Sequence, residues 1–308
     1  TGQKPDTIAT DARVYPNTIS YRDMKDKIFR LLLFVAALLV LVLSAAIVYA
    51  LVSRSSEAFQ EYGIRGFIAN AEWDPRSATE EYGALSFIVG TLYTAFFALM
   101  LCIPFALSVA LFNGVYFKGK KISDVVRSVV DLLAGIPSIV YGLWGFYTVR
   151  PLIIDLGVNA QGFGIFLSSV VLAIMIIPYA SSLSSEFLSM VPNNLREGAY
   201  SLGATRLEVV RHINLPMAAS GIVASFILAL GRALGETMAV TMLIGNTNRI
   251  PAGLRDTGNT MASVIANQFG EADGLKLSAL IAIGLLLFII TAIINLIAKL
   301  VMKKLSHA

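Results

Sequence analysis

Apolar positions in this chain come in long unbroken blocks, with neither the alternation of a strand nor the three-to-four spacing of a surface helix. Leu31 to Val52 carries no charge, and about 20 apolar residues are enough to cross a bilayer as a helix. A second charge-free stretch lies between Glu81 and Lys118, long for one span, so a tilted helix bent at Pro104 is expected. Leu132 to Val149 predicts a third span, and a fourth falls within Leu156 to Ser185. A fifth runs from near Asn214 to near Gly245, and a sixth from about Leu277 to Ala298. The expected fold is an all-α polytopic membrane protein with six transmembrane helices.

Composition agrees with that pattern. The 308 residues are 56% apolar and 14% charged, with a mean hydropathy of +0.73, whereas a soluble domain carries about 25% charged residues. A disulfide scaffold is excluded because Cys102 is alone and lies in an apolar run. His212 and His307 are the only histidines, so no Cys/His metal site and no cofactor is expected. No Ser/His or paired-Asp constellation in the spans points to a membrane-embedded enzyme.

Charge placement then sets an orientation. With both termini in the cytoplasm, the inner segments (the tail to Arg30, Lys118 to Arg127, Arg196 to Arg211, Lys299 to Lys304) hold sixteen Lys and Arg, and the outer loops hold seven. That is the bias expected of a multi-pass protein of a prokaryotic plasma membrane. The first outer loop is acidic, with Glu57, Glu61, Glu72, Asp74, Glu80 and Glu81. Residues 1–27 form a cytoplasmic tail and 28–308 the membrane domain. Residues 1–16 are polar and expected to be disordered. Residues 17–30 mix Tyr21, Met24, Ile28 and Phe29 with basic residues, which suits either an interfacial helix or a basic flank of the first span. The first span is too long and too late for a signal peptide, and Thr1 implies a native start that is missing or processed.

The loop at 186–213 has its own signals. Asn193 or Asn194 can cap a helix, Leu195, Ala199 and Leu202 give it one apolar edge, and Gly203 can end it in the left-handed conformation. Thr205-Arg-Leu-Glu208 is a capping box for a second helix, and Pro216 suits the start of the fifth span. The pattern fits a structured connector or a docking helix for a soluble partner. The spacing of Glu197, Ala199, Gly203, Ile213, Leu215 and Pro216 resembles the EAA loop of ABC-importer permeases, with Gly198 departing at the second position. Gly135-Ile-Pro-Ser-Ile-Val-Tyr-Gly-Leu143 and Gly231-Arg-Ala-Leu-Gly-Glu-Thr-Met238 are similar to permeases of the phosphate-specific importer, the second most like the PstC type. The resemblance covers roughly residue 84 to the C-terminus.

The resemblance implies a type I (MetI-like) permease fold and half of a translocation pathway for inorganic phosphate. It implies a second, PstA-like permease, two ATPase subunits and an external phosphate-binding protein as partners, with lipid around the spans and no nucleic acid. Glu197, Ala199 and Gly203 would then couple to the ATPase. A sulfate or molybdate importer is the near alternative, and an ion-coupled carrier or channel the distant one. Gly114-Val-Tyr-Phe-Lys-Gly119-Lys120 fits G-x-x-x-x-G-K, but Lys121 stands where Mg²⁺ coordination needs Ser or Thr. ATP hydrolysis is therefore expected on a partner chain.

Arg232 and Glu236 fall inside the fifth span, one helical turn apart and on one face. Either they form a mutual ion pair, or Arg232 offers a fork of donors to an oxyanion, which stays charged when partly dehydrated. Thr237 and Thr241 are secondary donors or bond their own backbone. Gly231 and Gly235 give a G-x-x-x-G spacing for close helix approach or for a ligand. Gly135, Pro137, Ser138 and Tyr141 mark a broken start to the third span or a packing kink. Asn246 and Asn248 end the fifth span as an outer gate or a plain loop.

Overall fold

The computed structural model of the chain describes residues 18–75 and 80–305; the polar tail expected over 1–16 lies outside them. Residues up to Ala50 form one unit and Leu51 onward another. In the first, α1 (Thr18–Arg54) runs unbroken through the apolar block, so the Tyr21-to-Arg30 stretch belongs to the same helix.

The second unit opens with α2 (Ser56–Ala69), whose Gly63 leaves helical geometry at φ 67°. A two-residue hairpin follows, β1 (Trp73–Asp74) antiparallel to β2 (Glu81–Tyr82). Next is α3 (Leu85–Leu111), which continues through Pro104 and loosens into a π turn at 112–116. The third span is two helices: α4 (Lys121–Gly135) and α5 (Ser138–Trp144), the latter continuing through a π turn at 145–149 into α6 (Arg150–Asp155). They meet at 94°. Of the two readings of Gly135 to Tyr141, the broken start is the one observed, and it lies within the apolar run from Leu132 to Val149. Pro137 has no N–H to donate and disfavours helical geometry at Ile136, whose ψ is 127°. Only the last turn of α4 and the helix after the bend fall in the apolar run.

The fourth span is α7 (Ile165–Met190), beginning later and ending later than its apolar block suggested. The arm follows as α8 (Asn193–Ser201) and α9 (Arg206–Val209); a π turn at 210–214 joins α9 directly to α10 (Leu215–Leu234). The second arm helix is thus the first turn of a continuous stretch from Arg206 to Leu234, not a separate helix. The fifth span then breaks at Gly235 before α11 (Met238–Leu243), where an unbroken helix to Gly245 was expected. The last elements are α12 (Met261–Gln268) and α13 (Gly274–Leu305). Among the described residues five helices are long and apolar enough to cross a membrane, and the bent pair α4 to α6 makes a sixth.

The bundle centre is α3, α7 and α10 packed through small residues. Ala95, Ala98, Cys102 and Ala106 of α3 meet Ala173, Ala180, Ala229 and Ala233. Small side chains let helix backbones approach where lipid offers no hydrophobic drive to associate. At one end, Phe67, Trp73, Tyr82 and Phe87 bury into α12 and α13. Ser278 of α13 closes that end by accepting from the Ala58 N–H (3.1 Å) and donating to the Arg54 carbonyl (2.9 Å). At the other end Ala110, Leu188, Val191, Ala218 and Ile222 form the core beneath the arm.

Candidate functional site

The arm is built to hold its shape with almost no core of its own. No residue of α8 is buried. Neither Asn193 nor Asn194 caps it: Pro192 occupies the cap, and Asn194 Oδ1 accepts from the adjacent Leu195 N–H. Its C-terminus is closed as predicted. Gly203 sits at φ 87°, its N–H reaches Tyr200 O (2.9 Å) and the Ala204 N–H reaches Ala199 O (3.1 Å). These two bonds define a Schellman motif, which requires the left-handed residue that glycine supplies at no steric cost.

Across that turn the capping box is complete. Glu208 Oε2 accepts from the Thr205 N–H (2.7 Å) and hydroxyl (2.8 Å), and the Glu208 N–H returns to Thr205 Oγ1. The Thr205 hydrogen bonds hold the Glu208 carboxyl below its ordinary range. Glu197 points to solvent, and among the described residues its carboxylate takes no hydrogen bond. Leu202 and Leu207 flank the turn at 91% and 69% exposure, an apolar edge that no described residue covers. Arg196 is the brace that the sequence reading missed. Its Nε donates to Asn214 Oδ1 (2.8 Å) and its Nη2 to Leu188 O (2.7 Å), tying α8 to the end of α7 and the root of α10.

The second constellation lies where the third and fifth spans break. The contacts of α5 with α11 advance in step: Gly142 lies against Ala239 and Met242, and Gly145 against Leu243. The two half-helices therefore run parallel and start from adjoining breaks. Two carbonyls at the end of α4 gain side-chain donors: the Tyr141 hydroxyl donates to Leu133 O (2.9 Å) and the Tyr179 hydroxyl to Ala134 O (3.1 Å).

Arg232 occupies the last turn of α10 and is exposed, its guanidinium 4.3 Å from the centre of the Tyr179 ring. Among the described residues no acceptor takes its N–H groups and no carboxylate lies within ion-pair distance. A guanidinium held by its face keeps its in-plane donors available for a bidentate acceptor. Glu236 is not its partner one turn on. The helix has ended at Leu234, so Glu236 turns inward, is only 9% exposed, and its Oε1 accepts from the Ala239 N–H at 3.4 Å. That places a carboxylate on the first turn of α11. Thr237 donates to Gly235 O (3.1 Å), and Thr241 to Thr237 O (2.7 Å) and Ser263 Oγ (3.0 Å). Both threonines thus bond locally. Asn246, at φ 52°, closes the same network onto Ser263 and Thr241. The face of α10 bearing Gly231 and Gly235 is open: a Cβ at Gly231 would meet nothing within 4 Å, and one at Gly235 only Gly231 O at 3.9 Å.

Spans broken around an outward-facing arginine, with a braced arm at one end, define a membrane permease. The chain belongs to the family of binding-protein-dependent transport system inner membrane components, which residues 102–307 match. It is 40% identical over 290 residues to the phosphate transport system permease protein PstC of Haemophilus influenzae, covering 88% of this chain and 91% of that protein. It is 38% identical over 303 residues to PstC of Mesorhizobium japonicum, covering 92% and 91%. Among solved structures, a bacterial ABC transporter that imports the acidic polysaccharide alginate superposes with a TM-score of 0.62 at 19% identity, covering 92% of this chain and 99% of that one. An inward-facing methionine transporter, MetNI, superposes at 0.55 and 18% identity, covering 72% and 94%. Both structures share the fold.

Proposed function

We propose that this chain is the PstC-type permease of an ATP-driven phosphate importer. The observation that carries the reading is the 40% identity to a phosphate permease over nearly the whole chain. A second, PstA-like permease would pack against the open Gly231 and Gly235 face, and the breaks would open into a cavity between the two. An external binding protein delivers phosphate there. Two ATPase subunits hydrolyse ATP and grip α8 by the Leu202 and Leu207 edge, with both termini of this chain on their side, the cytoplasm. Glu197, Ala199 and Gly203 transmit the stroke.

In the cavity, the free donors of Arg232 take two phosphate oxygens. Glu236 Oε1 is engaged by Ala239, and its second oxygen accepts a hydrogen bond from the hydroxyl that hydrogen phosphate carries and sulfate lacks. A carboxylate there penalises a fully deprotonated oxyanion. Reconstituted with its partners in vesicles, the complex should accumulate phosphate only with ATP inside the compartment that α8 faces. Uptake without ATP, or stimulation by sulfate as strong as by phosphate, overturns the reading. Glu236→Gln should weaken phosphate transport and let sulfate stimulate hydrolysis in a complex that works without its binding protein. Unchanged phosphate transport with sulfate still inert reduces Glu236 to a helix cap.

A further inference from the structure

A basic cleft lies against the arm, apart from Arg232, which does not line it. It has a volume of about 510 Å³ and lies between α8–α9 and the turn that follows α3. Lys120, Arg196 and Arg206 line it, Tyr116 and Tyr200 form part of its wall, and no carboxylate contributes. The neighbouring charges are already engaged. Lys118 donates to Ser189 O (2.7 Å), and the Glu208 carboxylate is held by Thr205. Arg196 is fixed by two of its nitrogens on Asn214 and Leu188, so its position is set before any ligand arrives. Lys120 and Arg206 are exposed, and the Lys120 ammonium rests 5.4 Å from the Phe117 ring centre.

Three cations line one cleft from two separately anchored segments, and no carboxylate is among the lining residues. Such a cleft offers an anion donors from both segments at once. We infer that this cavity is a binding site for a phosphate group that bridges the arm to the inner end of the second span. The group has two sources: the headgroup of an anionic lipid, or inorganic phosphate. Basic pockets at the ends of membrane helices take lipid headgroups, and the volume exceeds what one phosphate ion fills.

The test uses the assembled transporter carrying Arg232→Ala, so that the region between the spans contributes nothing and the outcome does not depend on its role. The complex is placed in nanodiscs of phosphatidylcholine alone or with phosphatidylglycerol. Retained lipid is counted by native mass spectrometry, and inorganic phosphate is titrated in the neutral discs. Lys120→Gln with Arg206→Gln should weaken retention of the bound species about thirty-fold, the loss of two cationic contacts at a membrane surface. Lys120→Arg with Arg206→Lys should keep it. Loss confined to phosphatidylglycerol identifies the lipid, and loss confined to the titrated ion identifies free phosphate. Equal binding of both species by the Gln variant and its parent overturns the proposal, as does weakened assembly with the ATPase in place of either loss.

Discussion

Arg232 stacks on Tyr179 and leaves Glu236 to the next half-helix, so two residues four apart do different work. A guanidinium on an aromatic face keeps its charge, its orientation and its donors, which a mutual ion pair would have consumed. Arg232→Ala should abolish phosphate-stimulated ATP hydrolysis while the complex still assembles. Arg232→Lys should restore little, because an ammonium neither lies flat on the ring nor offers two donors in one plane. Near-parental stimulation in the Ala variant would make Arg232 a structural residue. Tyr179 serves both sides of this arrangement, with its ring under Arg232 and its hydroxyl on Ala134 O. It thereby links the guanidinium to the break in the third span.

At the scale of elements, the unusual pair is α5 and α11, two short helices lying parallel because glycine lets them. A Cβ at Gly142 would come within 2.8 Å of Met242 Sδ and 3.1 Å of Ala239 Cα. The sulfur can swing away and the backbone cannot. Gly142→Ala should therefore be partly tolerated. Gly142→Leu should part the half-helices at a cost of about 1–3 kcal/mol. The reading is substrate-stimulated hydrolysis together with the thermal midpoint of the purified complex. Full activity and an unshifted midpoint in the Leu variant would show that the pairing is loose. The arm obeys a different rule, since α8 buries no residue and α9 only Val209, and both rest on caps: the Schellman turn at one helix end, the Thr205 box at the next helix start, and Arg196 as the tie to the bundle.

For the whole molecule, the arm matters as a rigid handle on a bundle held by small-residue contacts. Its turn is a clean place to test that rigidity. Gly203 has φ 87° and nothing within 4 Å of where a Cβ would stand, so a substitution there meets a conformational penalty and no clash. Asparagine tolerates the left-handed region and a β-branched residue does not. Gly203→Asn should keep ATP-dependent uptake, and Gly203→Val should lose it while the membrane domain stays folded and still binds phosphate. Normal uptake in the Val variant removes the arm from the coupling path.

Much of this was legible in the order of residues. Six apolar blocks fix six crossings, because each helix must satisfy its own backbone in lipid whatever surrounds it. The turn at Gly203 and the box from Thr205 to Glu208 were readable for a like reason, since caps are local chemistry within a few residues. The break at Gly135 to Pro137 was readable only as one of two alternatives, and the break at Gly235 was not readable at all. Gly135, Pro137 and Gly235 permit an interruption, but a helix gives up its bonds only where distant groups take the freed carbonyls. Here those groups are Tyr141 and Tyr179, 45 residues from Ala134 in the latter case. Arg196 was invisible as a brace for the same reason, its acceptors lying on two other helices. The partner of Arg232 followed suit: spacing offered Glu236, but the chain turned at Gly235 and packing supplied a ring from the fourth span.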